Sequence, residues 1–199
     1  MKKGYLPSPD ELPAKVPHLR DGWQRKVCRA ALRLAGWSLV GEFPDVPKAV
    51  LIVAPHSSWW DGFWGLLLKV AIGADVHFMG KQELFRGPMG RLLRRLGGMP
   101  VDRFATRGVV EQMVDHYRQR DAFWLGIAPE GTRKRVTRWR SGFWHIARSA
   151  GVPIVTAYFN YPDKTIGVGP LFETSEDMAA DLLRLRAFYA PYKGKHRDV

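Results

Sequence analysis

Val50-Leu-Ile-Val-Ala-Pro-His-Ser-Ser-Trp-Trp-Asp-Gly62 is the stretch around which the chain is organised. Its first five residues form an apolar, branched run short enough to be a buried strand. Pro55 has no N–H to give to a ladder and ends that strand. An apolar helical pattern follows from Phe63 to Ala71, so His56 and Asp61 fall in a strand-to-helix turn. On one helix, residues five apart would diverge by about 140° at roughly 100° per residue. A bend between them lets the pair meet. A carboxylate bonded to one imidazole nitrogen fixes the tautomer and leaves the other nitrogen as a base. The plainer alternative is a polar turn with Asp61 near a helix start, where carboxylates are favoured anyway. The stretch alone leaves both open.

Composition narrows the classes. At 199 residues and 46% hydrophobic, the chain can bury a substantial core and is expected to form one domain over 23–199, preceded by an irregular arm over 1–22. A net charge of +12 predicts an anionic partner: a membrane surface, nucleic acid or a phosphorylated substrate. The lone cysteine, Cys28, excludes an internal disulfide framework and fits a reducing compartment as a buried structural thiol. No signal peptide is evident, nor an apolar run of the roughly 20 residues needed to span a bilayer. A soluble protein, or one lying on a membrane, is expected.

Strands and helices alternate along the chain. A basic amphipathic helix is expected from Trp23 to about Leu39, with Trp23, Val27 and Leu34 apolar and Arg25, Lys26, Arg29 and Arg33 cationic. Further strands are expected over Asp75–Met79, Met99–Arg103, Phe123–Ala128, Val152–Tyr158 and Thr165–Val168. The helices between them are expected over Met89–Leu96, from a Thr106 cap to about Arg120, up to Ala150, and over Thr174–Tyr189. This alternation predicts an α/β layered domain. Pro129-Glu-Gly-Thr-Arg133 follows a buried strand, where α/β sheets place ligands. Gly131 permits close backbone approach, Thr132 offers a hydroxyl and Arg133 can fork onto phosphate. Lys134, Arg135, Arg138 and Arg140 continue a cationic loop, and Gly98-Met-Pro-Val-Asp-Arg103 delivers Arg103 from a strand edge. His77, His116 and His145 lack a carboxylate at comparable spacing and read as structural or surface residues.

Taken in order, His56-x4-Asp61, Gly98 to Arg103, Pro129 to Arg133 and Val152-Pro-Ile-Val155 resemble the four blocks of the glycerolipid acyltransferases, the family of 1-acylglycerol-3-phosphate acyltransferases. Lys81-Gln-Glu-Leu-Phe-Arg86 and Ser141-Gly-Phe-Trp-His-Ile-Ala147 fit the connecting text. The chain departs from the pattern at Pro55, where asparagine is usual, and at Thr156, where a second proline is usual. The resemblance implies a mixed central sheet flanked by helices. It implies His56 as general base on the acceptor hydroxyl, with Asp61 orienting it. It implies Arg103 as the ligand of the acceptor phosphate, with Glu130, Gly131 and Thr132 shaping the acceptor site and Arg133 supporting either substrate's phosphate. The expected reaction moves a fatty acyl group from acyl-CoA or acyl carrier protein to a lysophospholipid, in phospholipid biosynthesis, without metal or bound cofactor. The acyl chain needs an apolar groove, for which Trp59, Trp60, Phe63 and Trp64 are available. The expected location is cytoplasmic, on the anionic inner face of the cell membrane. Alternatives are another lysolipid or amino-acid lipid as acceptor, or a non-catalytic basic membrane-binding module. Nucleic acid is the weaker partner, because the basic residues accompany amphipathic helices rather than a stacking platform.

Overall fold

Lys48–Ala54 (β2) is the central strand of a seven-stranded sheet in a computed structural model that describes residues 5–101, 108–134 and 136–196. The other strands are β1 (Ser38–Val40), β3 (Val76–Lys81), β4 (Gly98–Val101), β5 (Phe123–Ile127), β6 (Ile154–Asn160) and β7 (Thr165–Phe172). Their order is β1-β7-β6-β2-β5-β3-β4. β6 and β7 form an antiparallel pair and every other neighbouring pair is parallel, which gives the mixed sheet that the family resemblance implies within the α/β layering expected from the alternating pattern.

Alternation along β2 explains why its whole run is apolar. Ala49 and Leu51 enter one core and Val50, Ile52 and Ala54 enter the other, so neither face meets water. Each fully buried aliphatic side chain of this kind contributes about 1.5–3 kcal/mol. The first face is covered by α1 (Trp23–Ala35) and α2 (Trp59–Ile72), the second by α4 (Val109–Gln119), α5 (Gly142–Ala150) and α6 (Met178–Tyr189). A shorter helix, α3 (Gly87–Arg95), packs beside β4. Two tyrosines lock the central strand from the second face: Tyr117 donates to the Ala49 carbonyl and Tyr189 to that of Ile52, both at 2.8 Å.

Several boundaries differ from the sequence expectation. α1 stops at Gly36, which takes the left-handed conformation (φ 78°) that favours glycine, and Leu39 belongs to β1 instead. α4 is capped at Gly108, not Thr106; Thr106 itself lies outside the described residues. α6 starts at Met178 because the Asp177 carboxylate caps the Ala180 N–H. The amino-terminal segment is irregular apart from a 3₁₀ turn over Pro9–Glu11, yet it is packed: Leu6, Leu12 and Val16 are buried in the first core.

The structure divides the cationic stripe of α1. Arg29 turns inward and donates to the backbone carbonyls of Leu6, Pro7 and Ala71. Arg25 pairs with Asp21 and donates to the Leu19 carbonyl. Trp23, Val27 and Leu34 are instead 73%, 56% and 90% exposed. The apolar stripe faces out because the guanidinium groups find carbonyl partners inside. Among the described residues, no helix is long and apolar enough to cross a membrane.

Candidate active site

Parallel pairing sets the site. β2, β3, β4, β5 and β6 all run the same way, so their carboxyl ends share one edge of the sheet, where open α/β folds bind ligands. The residues that leave that edge are His56 after β2, Lys81 at the end of β3, Pro129 to Arg133 after β5, and Tyr161 after β6. Val101 ends β4 there as well; Arg103 lies outside the described residues.

The His56 turn is held by a dense set of bonds. Ser58 and Asp61 form a capping box at the start of α2, which satisfies amide groups that the first helical turn would otherwise strand. One Asp61 oxygen, Oδ2, accepts the N–H groups of Ser57 and Ser58 at 2.8 Å each and lies 3.2 Å from His56 Nδ1. The other, Oδ1, accepts the Tyr161 hydroxyl at 2.5 Å. Asp61 is only 2% exposed. Burial pushes its pKa up, but the bonds from His56, Tyr161 and Ser58 outweigh that and hold it below the usual carboxylate value. Asp61 is therefore a cap and a partner of His56 at once, and the two readings of the sequence turn out to be compatible.

Glu130 ties two turns of the site together. At 2% exposed, it accepts the His56 backbone N–H on Oε1 at 3.0 Å and so ties the β5 turn to the β2 turn. Gly131 has φ 64°, and an added Cβ there would come within 2.6 Å of Arg140 Cδ. What approaches this glycine closely is the Arg140 side chain. The Thr132 hydroxyl accepts the Lys134 N–H at 3.2 Å.

Two cavities meet at His56. The first, about 340 Å³, runs between α2 and the sheet, from Asp61 along the helix to Ile72, a rise of about 16 Å. It is apolar, lined by Gly62, Gly65 and Leu66 of α2 against Leu51, Val53 and Phe159 of the strands. Trp59, Trp60, Phe63 and Trp64 do not line it; they pack on one another around the start of α2, with Trp59 and Trp60 centroids 4.1 Å apart. Near the Ile72 end lie Lys69 and His77. Lys69 Nζ donates to the carbonyls of Val76 (2.5 Å) and Leu96 (3.0 Å), and burial lowers its pKa despite Asp75 at 3.7 Å. His77 is thus a cavity residue rather than a surface one, and Asp75 lies 3.8 Å from its Nδ1.

The second cavity, about 840 Å³, is more polar and opens on the other side of His56. Gly131, Thr132 and Arg133 line it, joined by Lys81 and Arg140. Sequence reasoning missed Lys81, Lys69, Gly65 and Tyr161. The glycines at 62 and 65, one turn apart on a helix facing a sheet, were the available signal for the apolar cavity.

Comparison with known proteins follows the same outline. The family model described as Acyltransferase matches residues 42–160, a span that includes His56, Asp61 and Glu130 to Arg133. Among solved structures, the crystal structure of the 1-acyl-sn-glycerophosphate (LPA) acyltransferase PlsC from Thermotoga maritima is similar to this chain, with a TM-score of 0.57 over 81% of this chain and 72% of that one. The two share 17% sequence identity, so the likeness is one of fold. Among curated proteins, nothing matches the chain.

Proposed function

The chain belongs to the acyltransferase family, and from that we propose that it moves a fatty acyl group from a thioester donor, acyl-CoA or acyl carrier protein, to the hydroxyl of a lysophospholipid such as 1-acylglycerol-3-phosphate. One observation carries the reading: His56, paired with Asp61, stands where an apolar cavity meets a cation-lined one. With the Nδ1 proton directed at Asp61, Nε2 takes the acceptor's hydroxyl proton. The acceptor oxygen attacks the thioester carbonyl, and the C–S bond breaks as the ester C–O bond forms. The imidazolium then returns its proton to the departing thiolate. Asp61 stabilises the imidazolium without taking the proton. No serine nucleophile is required, and Ser57 and Ser58 serve the turn. The acceptor's phosphate is assigned to the second cavity, near Lys81, Arg133 and Arg140, with Arg103 as the further ligand implied by the family resemblance. Labelled donors offered with a panel of lysolipids, the product identified by mass, test this. An esterified product only from acceptors without phosphate would move the acceptor class.

The acyl chain is assigned to the first cavity, whose volume is near the lower end of the roughly 300–1,000 Å³ usual for ligand sites. A Cβ added at Gly65 would sit in ordinary contact, 3.7 Å from Phe159 Cζ. Gly65→Leu should therefore fold, with helix propensity in its favour, while filling the cavity. The preferred acyl chain should shorten by several carbons. Discrimination against the longest chains should rise at least about tenfold, since one methylene in an apolar pocket is worth about 10–200-fold. The check is kcat/KM against donor chain length; an unchanged profile would place the chain elsewhere.

Reversible docking on an anionic membrane face completes the reading, with the outward face of α1 as the contact. Trp23, Val27, Ala30 and Leu34 fall within about 60° of one another around the helix. Lys26 and Arg33 are exposed beside them, and α1 carries no acidic residue. An interfacial helix needs this combination of apolar face and flanking cations. Each apolar side chain withdrawn from water contributes on the order of 1 kcal/mol. Replacing Trp23, Val27 and Leu34 together by serine should weaken binding to anionic vesicles by about 10²-fold, measured by sedimentation. Unchanged binding would shift the contact to Leu84, Met89 and Leu92, the exposed apolar residues in and before α3.

A further inference from the structure

An aspartate's Cβ–Cγ torsion is broad and fixes no orientation by itself. In this site the two oxygens have different partners. Oδ2 serves His56 and the amides of Ser57 and Ser58, while Oδ1 takes the Tyr161 hydroxyl. The carboxylate cannot rotate without breaking a bond on one side or the other. Tyr161 comes from a different part of the chain, one residue beyond both β6 and the span matched by the family model.

Its own position is fixed from two sides. The ring meets Trp37 edge-on with centroids 5.1 Å apart, and Trp37 is buried in the first core against Trp64 of α2. The Tyr161 N–H donates to the Lys193 carbonyl at 2.9 Å, and the Lys193 N–H donates to Asn160 Oδ1 at 3.0 Å. Three residues on, the His196 N–H reaches Ser57 Oγ at 3.2 Å. One short segment, Lys193 to His196, therefore holds both Tyr161 and the turn that carries His56. Burial, and then the bond to Asp61, push the phenol pKa up, so the hydroxyl remains a donor.

We propose that Tyr161 is a positioning residue: by occupying Asp61 Oδ1 it aims Oδ2 at His56 Nδ1 and keeps the imidazole in the tautomer that acts as a base. This rests on the reading of His56 as the base, and Tyr161 lines neither of the two cavities. The segment from Lys193 to His196 supports it by holding its backbone.

Tyr161→Phe keeps the ring and removes the donor. The variant should lose about tenfold in kcat with both KM values within about twofold, because a transition-state interaction is lost and substrate binding is not. In a cycle with Asp61→Asn, the double variant should be no slower than Asp61→Asn alone, since Tyr161 acts only through that carboxylate. An unchanged kcat, or losses that multiply as they would for a merely structural role, would overturn the proposal. A readout independent of turnover is the nitrogen NMR spectrum of the His56 imidazole. Wild type should hold the proton on Nδ1, and Tyr161→Phe should give a mixture of tautomers; the same tautomer in both proteins would also overturn it. A wild-type protein with the single tautomer but no acyl transfer would count against the proposed function and not against the positioning. If Tyr161→Phe does not fold, the wild-type proton spectrum decides: a slowly exchanging Tyr161 hydroxyl proton is expected, and its absence would overturn the proposal.

Discussion

Replacing His56 by alanine is expected to lower acyl transfer by about 10²–10⁴-fold, the contribution of a positioned general base, and to leave the fold standing. The expectation about the fold follows from what the substitution leaves intact. The bond from the residue 56 backbone N–H to Glu130 does not involve the ring. Asp61 keeps three donors, from Ser57, Ser58 and Tyr161, so no buried carboxylate is orphaned. The imidazole borders two cavities rather than filling a core. Turnover beside a thermal melt separates the two effects. Near-wild-type turnover would remove His56 from the chemistry.

Asp61→Asn should cost both activity and stability. The least costly amide orientation leaves its oxygen on the Ser57 and Ser58 N–H groups and turns its NH₂ toward the Tyr161 oxygen. That reverses the Tyr161 bond and removes the charge that strengthens every other bond to the group, since charge-assisted hydrogen bonds are roughly twice as strong as neutral ones. The imidazolium also loses its counter-charge, and a loss of at least about tenfold in kcat is expected, because that charge stabilises the protonated base in the transition state. The stability loss should be about 1–3 kcal/mol near neutral pH. Its pH dependence has a definite sign. Asp61's carboxyl is held below its ordinary range in the folded state, so it binds protons more weakly folded than unfolded. Its contribution is fully present above the ordinary carboxylate pKa of about 3.9 and is lost as the pH falls through the lower folded value. The stability gap between wild type and Asp61→Asn, measured by urea unfolding, should be constant near neutrality and close in acid. A gap that widens in acid would contradict the assignment.

The parts of the fold that could be read from the chain were those where one local rule dominates. β2 was legible because a strand buried on both faces carries an uninterrupted branched run, and the His56 turn because Pro55 stops that run before a helix begins. The α/β layering followed from the alternation of strands and helices, and the mixed sheet from the family resemblance carried by the order of the blocks. The facing of α1 was not legible. Periodicity finds two stripes but cannot say which is inside when inward arginines meet the backbone carbonyls of Leu6, Pro7 and Ala71, contributed from distant parts of the chain. The bond from the His56 amide to Glu130 was not legible, because it exists only once β2 and β5 lie side by side. Tyr161 was invisible for the same reason at larger range, a hundred residues from the carboxylate it binds.

The most direct test of the account is a stoichiometric one. Purified protein is given a labelled acyl thioester and a phosphate-bearing lysolipid, and free thiol and esterified lipid are counted together. The account expects one ester formed per thiol released, with release falling to background when the acceptor is omitted or His56 is alanine. Thiol released steadily without ester would make the site a hydrolase, and no thiol from any donor would leave a binding module in its place.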